Sequence, residues 1–294
     1  MTRVLDIELP RVPVGEWVEN AVDWLTDNLG GLFDAIQTVL ELLVQDWVGA
    51  ALHAVPAVVL AVVFALVAWA CRNWKLGLAT LVGMLFIQAM GMWEHAMDTL
   101  ALTLVAAVIA MLLALPLGVL AARSQRVSQV TRPVLDFMQT MPVFVYLIPA
   151  VFFFGVGVAP GVVATIVFAM PPGVRLTELG IRQVDQEMVE AGHAFGATPR
   201  SILTGIQVPL AMPTIMAGVN QVIMLALSMV VVAGMVGAGG LGSDVYAGIT
   251  RLEVGQGFEG GIAVVIVAIF LDRATAGLGS RSTIARSRRQ AAAA

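Results

Sequence analysis

The feature that most constrains this chain is a series of long apolar runs with almost no charge inside them. The stretch from Met97 to Ala122 is the plainest case, with Asp98 its only charged residue. A run of about 18 to 25 apolar residues can cross a ~30 Å hydrocarbon core as a helix, because a helix satisfies its own backbone hydrogen bonds there. Seven such runs can be marked: Val55 to Ala70, Leu76 to Trp93, Met97 to Ala122, Val134 to Val158, Gly161 to Leu176, Leu210 to Val236 and Phe258 to Ala276. The fifth contains "MPPG" at Met170 to Gly173, which predicts a kink or break. Composition agrees: 59% of the residues are hydrophobic and 12% are charged, against roughly 25% charged in soluble domains. The expectation is an all-α, polytopic membrane protein.

Orientation follows from the cations. Thirteen of the 16 Lys and Arg residues fall on one side of the seven spans, leaving Arg3, Arg11 and Arg251 on the other. The cation-rich side is expected to be cytoplasmic, with the N-terminus outside and the C-terminus inside. The tail, residues 280–294, carries "RSRRQ", which a topology signal explains without a lipid-binding role. The N-terminus lacks the basic and apolar regions of a cleaved signal peptide. A net charge of -4 gives no basic footprint for nucleic acid. One cysteine, Cys71, excludes an internal disulfide and reads as a small packed hydrophobe.

Residues 1–52 read as a separate external segment ahead of a membrane domain at 53–279. Trp17, Ala21, Trp24, Leu25, Leu32, Phe33, Ile36, Leu40, Leu43 and Trp47 recur at near-helical spacing, interrupted at "NLGG". Two amphipathic helices packed on the flank of the membrane domain are expected. Nine acidic against two basic residues in the first fifty argue against attraction to anionic lipid.

The spans are interrupted by a polar stretch, "EAGHAFGATPRSILTGIQVPLAMP", Glu190 to Pro213. Met188, Ala191, Gly192 and Phe195 stand at i, i+3, i+4 and i+7, the apolar face of a short helix that Gly196 ends. Thr198 is then an N-cap and Pro199 a first helical residue, so a second short helix carries Ile202, Leu203 and Ile206 until Pro209 stops it. The loop, about 184–209, is too charged to cross a membrane and too regular to be slack. It is expected to project and be gripped.

This stretch resembles the EAA loop of ABC-importer permeases: Glu190, Ala191, Gly196, Ile206 and Pro209 fall in register, Gly192 replaces the second Ala, and Val208 stands where Leu is usual. "TMPVFVYLIPAVFFFGVG", "AMPPGVRLTELGIRQV" and "VPLAMPTIMAGVNQVIMLALSMVVVAGMVGAGGLG" extend the likeness to the permease subunit of glycine betaine/proline betaine importers, over about Met97 to Gly279. The resemblance implies a type I importer fold and a loop that docks on a cytoplasmic ATPase through Glu190, Ala191, Gly192, Gly196, Ala197 and Pro209. It also implies a bacterial inner-membrane location, an external substrate-binding protein and a homodimer of the permease.

The motor is not expected in this chain. A Walker A loop needs a Gly-Lys-Ser/Thr run, and the one lysine, Lys75, lies between Trp74 and Leu76. ATP and Mg would therefore sit on the partner ATPase. "GAGGLG" at Gly237 to Gly242 fits a dinucleotide-loop pattern but follows an apolar helix, so a tight turn or re-entrant bend outside span six is expected. His53, His95 and His193 are scattered, and no metal site is read.

For the translocation path the polar candidates are Gln139, Thr140, Asn220, Gln221 and Ser228. Asp136 is expected to pair with Arg132 and Glu178 with Arg175, each along its own helix. The competing function is a stand-alone ion-coupled secondary carrier, which predicts inverted repeats and midplane ionisable residues that the sequence does not display. A membrane enzyme is disfavoured because "WEH" at Trp93 to His95 is its best polar cluster. The substrate class implied by the resemblance is a quaternary ammonium solute such as glycine betaine, proline betaine or choline.

Overall fold

A computed structural model describes residues 13–280. Arg3 and Arg11, and the tail cations Arg281, Arg286, Arg288 and Arg289, lie outside the described residues. Every regular element among the described residues is helical. In chain order they are α1 (Val14–Glu41), α2 (Ala50–His53), α3 (Ala57–Cys71), α4 (Trp74–Ala89), α5 (Trp93–Arg123), α6 (Gln125–Thr140), α7 (Val143–Phe154) and α8 (Val158–Arg182). There follow α9 (Gln186–Ala194), α10 (Pro199–Ile202), α11 (Val208–Ser228), α12 (Val230–Met235), α13 (Gly240–Thr250) and α14 (Val254–Ser280).

The centre is built from α5, α8 and α11, which meet through small residues. A Cβ on Gly118 of α5 would lie 2.6 Å from the Cβ of Thr177 on α8, and one on Gly173 would lie 2.9 Å from the Cβ of Ala114. Between apolar helices in lipid, such close backbone approach supplies the dispersion contact that drives association. Ala106, Ala110 and Ala114 of α5 are buried along the same seam. The "MPPG" expectation is corrected here: α8 runs unbroken through Pro171 and Pro172. Both prolines and Gly173 are buried, the glycine tucked against Met111, Ala114 and Val222, so packing from two neighbouring helices keeps the segment helical where propensity alone would break it.

Among the described residues five helical stretches are long and apolar enough to cross a membrane: Gly15–His53, Trp93–Arg123, Val158–Arg182, Pro199–Met235 and Val254–Gly277. The expected fourth span is a broken one, α6 and α7 meeting at 96°, and counting it makes six. Its break falls at Met141, whose extended backbone (φ -69°, ψ 136°) is the conformation that a following proline, Pro142, enforces. The Tyr146 hydroxyl donates to the Met138 carbonyl and ties the two arms. The expected first and second spans correspond to α3 and α4, of 15 and 16 residues. At about 1.5 Å per residue they are shorter than a ~30 Å core.

The N-terminal expectation of two helices is also corrected. One helix continues through "NLGG" to Glu41, then through a π-helical stretch, Leu42–Gly49, into α2. A Cβ on Gly30 or Gly31 would meet nothing within 4 Å, so these glycines permit a break without a packing reason to make one. Phe33 stacks on Phe153 of α7 at 4.5 Å and meets Phe154 edge-on, which seats the helix on the membrane domain. Trp17, Trp24, Leu32 and Trp47 point away from it.

Candidate functional site

The polar stretch folds into a helical hairpin. The Asp185 side chain accepts the Glu187 N–H at 3.1 Å and starts α9, and the Thr198 hydroxyl accepts the Ser201 N–H at 3.2 Å and starts α10. Gly196 turns the chain between them with φ +73°, a conformation open to glycine at little cost. The arms close over Gly192, which is buried. A Cβ there would meet Ile206 Cδ1 at 2.9 Å and Ile202 Cγ1 at 3.2 Å, so an alanine would fit with a small shift of the Ile206 side chain. The Ala197 N–H donates to the Gly192 carbonyl at 3.0 Å.

Of the six expected docking residues, Glu190, Ala191 and Gly196 are exposed, Ala197 and Pro209 are partly buried, and Gly192 faces inward. The most projecting group is Phe195, 93% exposed at the tip, with Met188 49% exposed on the same helix. The spacing placed these two on the apolar face of a short helix, and both are presented outward. Pro209 does not end the second arm, a further correction. From Pro199 the helix passes through a π-helical stretch, Leu203–Gln207, into α11 and on to Met235. The widened turn comes just before the residue that has no N–H to give, and it lets the hairpin run straight into a span.

At the base of the hairpin the expected local ion pairs are replaced by crossed ones. Glu178, its side chain 7% exposed, accepts from Arg132 at 3.1 Å and from Arg182 at 3.0 Å, and the Ser128 hydroxyl donates to it at 2.7 Å. Asp136 pairs with Arg175. Both cross-pairs join α6 to α8. Arg182 also reaches the Ala121 carbonyl at 2.8 Å and the Gln125 side chain at 3.0 Å. A cavity of about 280 Å³ opens between these groups, lined by Arg132, Asp136, Arg175, Glu178, Leu179 and Arg182.

The five polar path candidates divide. Gln139, Thr140, Gln221 and Ser228 are exposed on the single chain, with Thr140 and Ser228 bonding back to Phe137 and Met224 carbonyls at 3.1 and 2.9 Å. Asn220 is partly buried and bound to α14: it donates to Asp272 at 3.0 Å and accepts from the Thr275 hydroxyl at 2.5 Å. No hydrogen bond among the described residues joins one of the five to another. Asp272 was overlooked as a carboxylate inside the last expected span, although its position in "IFLDRA" was the available signal.

A family described as the binding-protein-dependent transport system inner membrane component matches residues 114–281. The chain belongs to this family. It is 49% identical to the glycine betaine transport system permease protein OpuAB of Bacillus subtilis over 91% of this chain and 94% of that one. It is 48% identical to the glycine betaine/proline betaine transport system permease protein ProW of Escherichia coli, over 95% of this chain and 78% of that one. An inward-facing structure of the MetNI methionine ABC transporter shares the fold, with a TM-score of 0.60 and 20% identity over 65% of this chain and 96% of that one.

In this permease a second glycine-rich cluster packs against the start of α5, the end away from the hairpin. Gly237, Gly239 and Gly240 have φ values of +83°, +78° and +67° and carry the turn into α13. The Leu241 N–H donates to the Thr99 hydroxyl at 2.9 Å, and His95 and Asp244 meet at 2.5 Å, with Gln256 donating to the same carboxylate at 3.2 Å. The glycine cluster therefore makes a packed bend, as expected for a turn, and His95 has a partner 149 residues away that spacing could not reveal.

Proposed function

We propose that this permease is the membrane subunit of an ATP-driven importer for quaternary ammonium solutes of the glycine betaine, proline betaine or choline type. A separate cytoplasmic ATPase binds ATP and Mg, and an external substrate-binding protein delivers the solute. Two copies of the chain form the pathway. The hairpin end faces the cytoplasm, the N-terminus lies outside and the C-terminus inside, as the cation distribution supports. The N-terminal helix is a flanking element seated on α7 through Phe33.

The observation that carries the ATPase reading is the hairpin, a braced unit with an outward apolar stripe that continues without a break into a membrane-spanning helix. A partner that grips Phe195 and Met188 has a stiff lever on α11. ATP-driven closure of two ATPases would move two hairpins together and bias the spans between inward-facing and outward-facing arrangements. The substrate class rests on the likeness over nine-tenths of the chain to permeases named for glycine betaine.

The test is uptake of radiolabelled glycine betaine into vesicles. Uptake is expected when the permease is reconstituted with a partner ATPase and binding protein and supplied with internal ATP. Uptake by the permease alone, driven by an ion gradient, would instead make it a secondary carrier.

A further inference from the structure

We infer that the crossed ion pairs Arg132–Glu178 and Asp136–Arg175 strap α6 to α8, so that the two move as one body when the hairpin is displaced. The inference rests on the importer reading and adds to it a route by which hairpin motion reaches the broken span. Arg132 and Asp136 are one turn apart on α6, and Arg175 and Glu178 are one turn apart on α8. Arg132 could have paired with Asp136 and Arg175 with Glu178, and neither pair forms: Arg132 reaches Glu178 at 3.1 Å and Arg175 reaches Asp136. Two parallel links between the same pair of helices resist both sliding and rotation, which a single link would not.

The strap is placed where it can transmit. The α8 helix ends at Arg182, three residues before the Asp185 cap that starts the hairpin, and Arg182 shares the Glu178 carboxylate. At the other end, α6 leads to the 96° bend and is tied across it by Tyr146 and Met138. A displacement of the hairpin passes along α8, across the strap to α6 and around the bend to α7. Ser128 and Arg182 hold Glu178 from two further sides, so its carboxylate stays fixed while Asp136 and Arg175, 64% and 39% exposed, form the outer link. These four residues are positioning residues, since nothing here requires them to touch solute.

The outer link is the one to test, because exchange of partly exposed partners need not disturb folding. The full complex in vesicles would carry Asp136→Arg, Arg175→Asp, or both, with solute imported per ATP hydrolysed as the readout. Each single change is expected to lower that ratio about tenfold while ATP hydrolysis continues, and the exchanged pair to restore most of it. A double variant no better than either single, or singles with an unchanged ratio, would overturn the strap.

A second arm covers variants that insert poorly. Asp136→Cys and Arg175→Cys, with Cys71→Ser, are joined by a reducible bis-maleimide. Linked, the pair is expected to import. After cleavage the import per ATP should fall about tenfold. The opposite order, or no difference, would overturn the inference. Wild-type complex run alongside separates the two readings: ATP-independent import there contradicts the importer, whereas ATP-driven import with silent variants contradicts the strap alone.

Discussion

A Cβ added to Gly196 at the hairpin would meet nothing within 4 Å, whereas one added to Gly242 at the opposite end would sit 2.0 Å from the Val230 carbonyl oxygen. The first glycine is there for its backbone angle, in a segment with open space around it. The second is there because no other residue fits. The same contrast extends outward. Around Gly196 stand the exposed Phe195 and Met188, and around Gly242 a Cβ on Gly234 would lie 2.3 Å from the Gly242 backbone. One glycine turns an exposed hairpin and the other closes a packed bend, so glycine content alone does not distinguish the two.

The contrast can be broken most forcefully at the packed bend. Gly242→Ala should cost about 3 kcal/mol through overpacking against the Val230 backbone, read as a lowered thermal midpoint of the purified permease in detergent. A midpoint unchanged from wild type would mean the bend is looser than its geometry indicates. The hairpin should behave in the opposite way. Phe195→Asp should leave that midpoint unaltered, because the ring touches little of its own chain. It should weaken ATPase binding by about 30-fold or more, some 2 kcal/mol, as loss of an aromatic anchor does. A smaller effect is expected from Thr198→Ala, which removes the cap of α10 at about 1 kcal/mol. It should loosen the hairpin locally, seen as faster amide exchange over 200–203, with insertion and the remaining spans unaffected.

Much of this was legible in the amino-acid sequence because it is local. The cap at Thr198, the turn at Gly196 and the apolar runs of α5, α8, α11 and α14 depend on neighbours a few residues away. What could not be read depends on packing. Pro171 and Pro172 stay helical because α5 and α11 hold them. Arg132 ignores Asp136 because Glu178 is presented by another helix. Gly192 faces inward because Ile202 and Ile206 fold back over it. Phe195 and Met188 were visible as an apolar stripe, but whether a stripe faces the core or a partner is decided only by what the fold leaves beside it. The polar path remained the least legible part: of its five candidates, only Asn220 enters an interhelical cluster, and its partners Asp272 and Thr275 lie some fifty residues away.

The most direct test of the hairpin as the cytoplasmic docking element uses single cysteines in a Cys71→Ser background, one replacing Phe195 and one replacing Val254, which is exposed at the start of α14. Intact cells are treated with a membrane-impermeant maleimide. The cysteine at 254 should label. The cysteine at 195 should label only after the membrane is opened, and bound ATPase should then protect it. Labelling at 195 in intact cells, or no protection by the ATPase, would contradict the assignment.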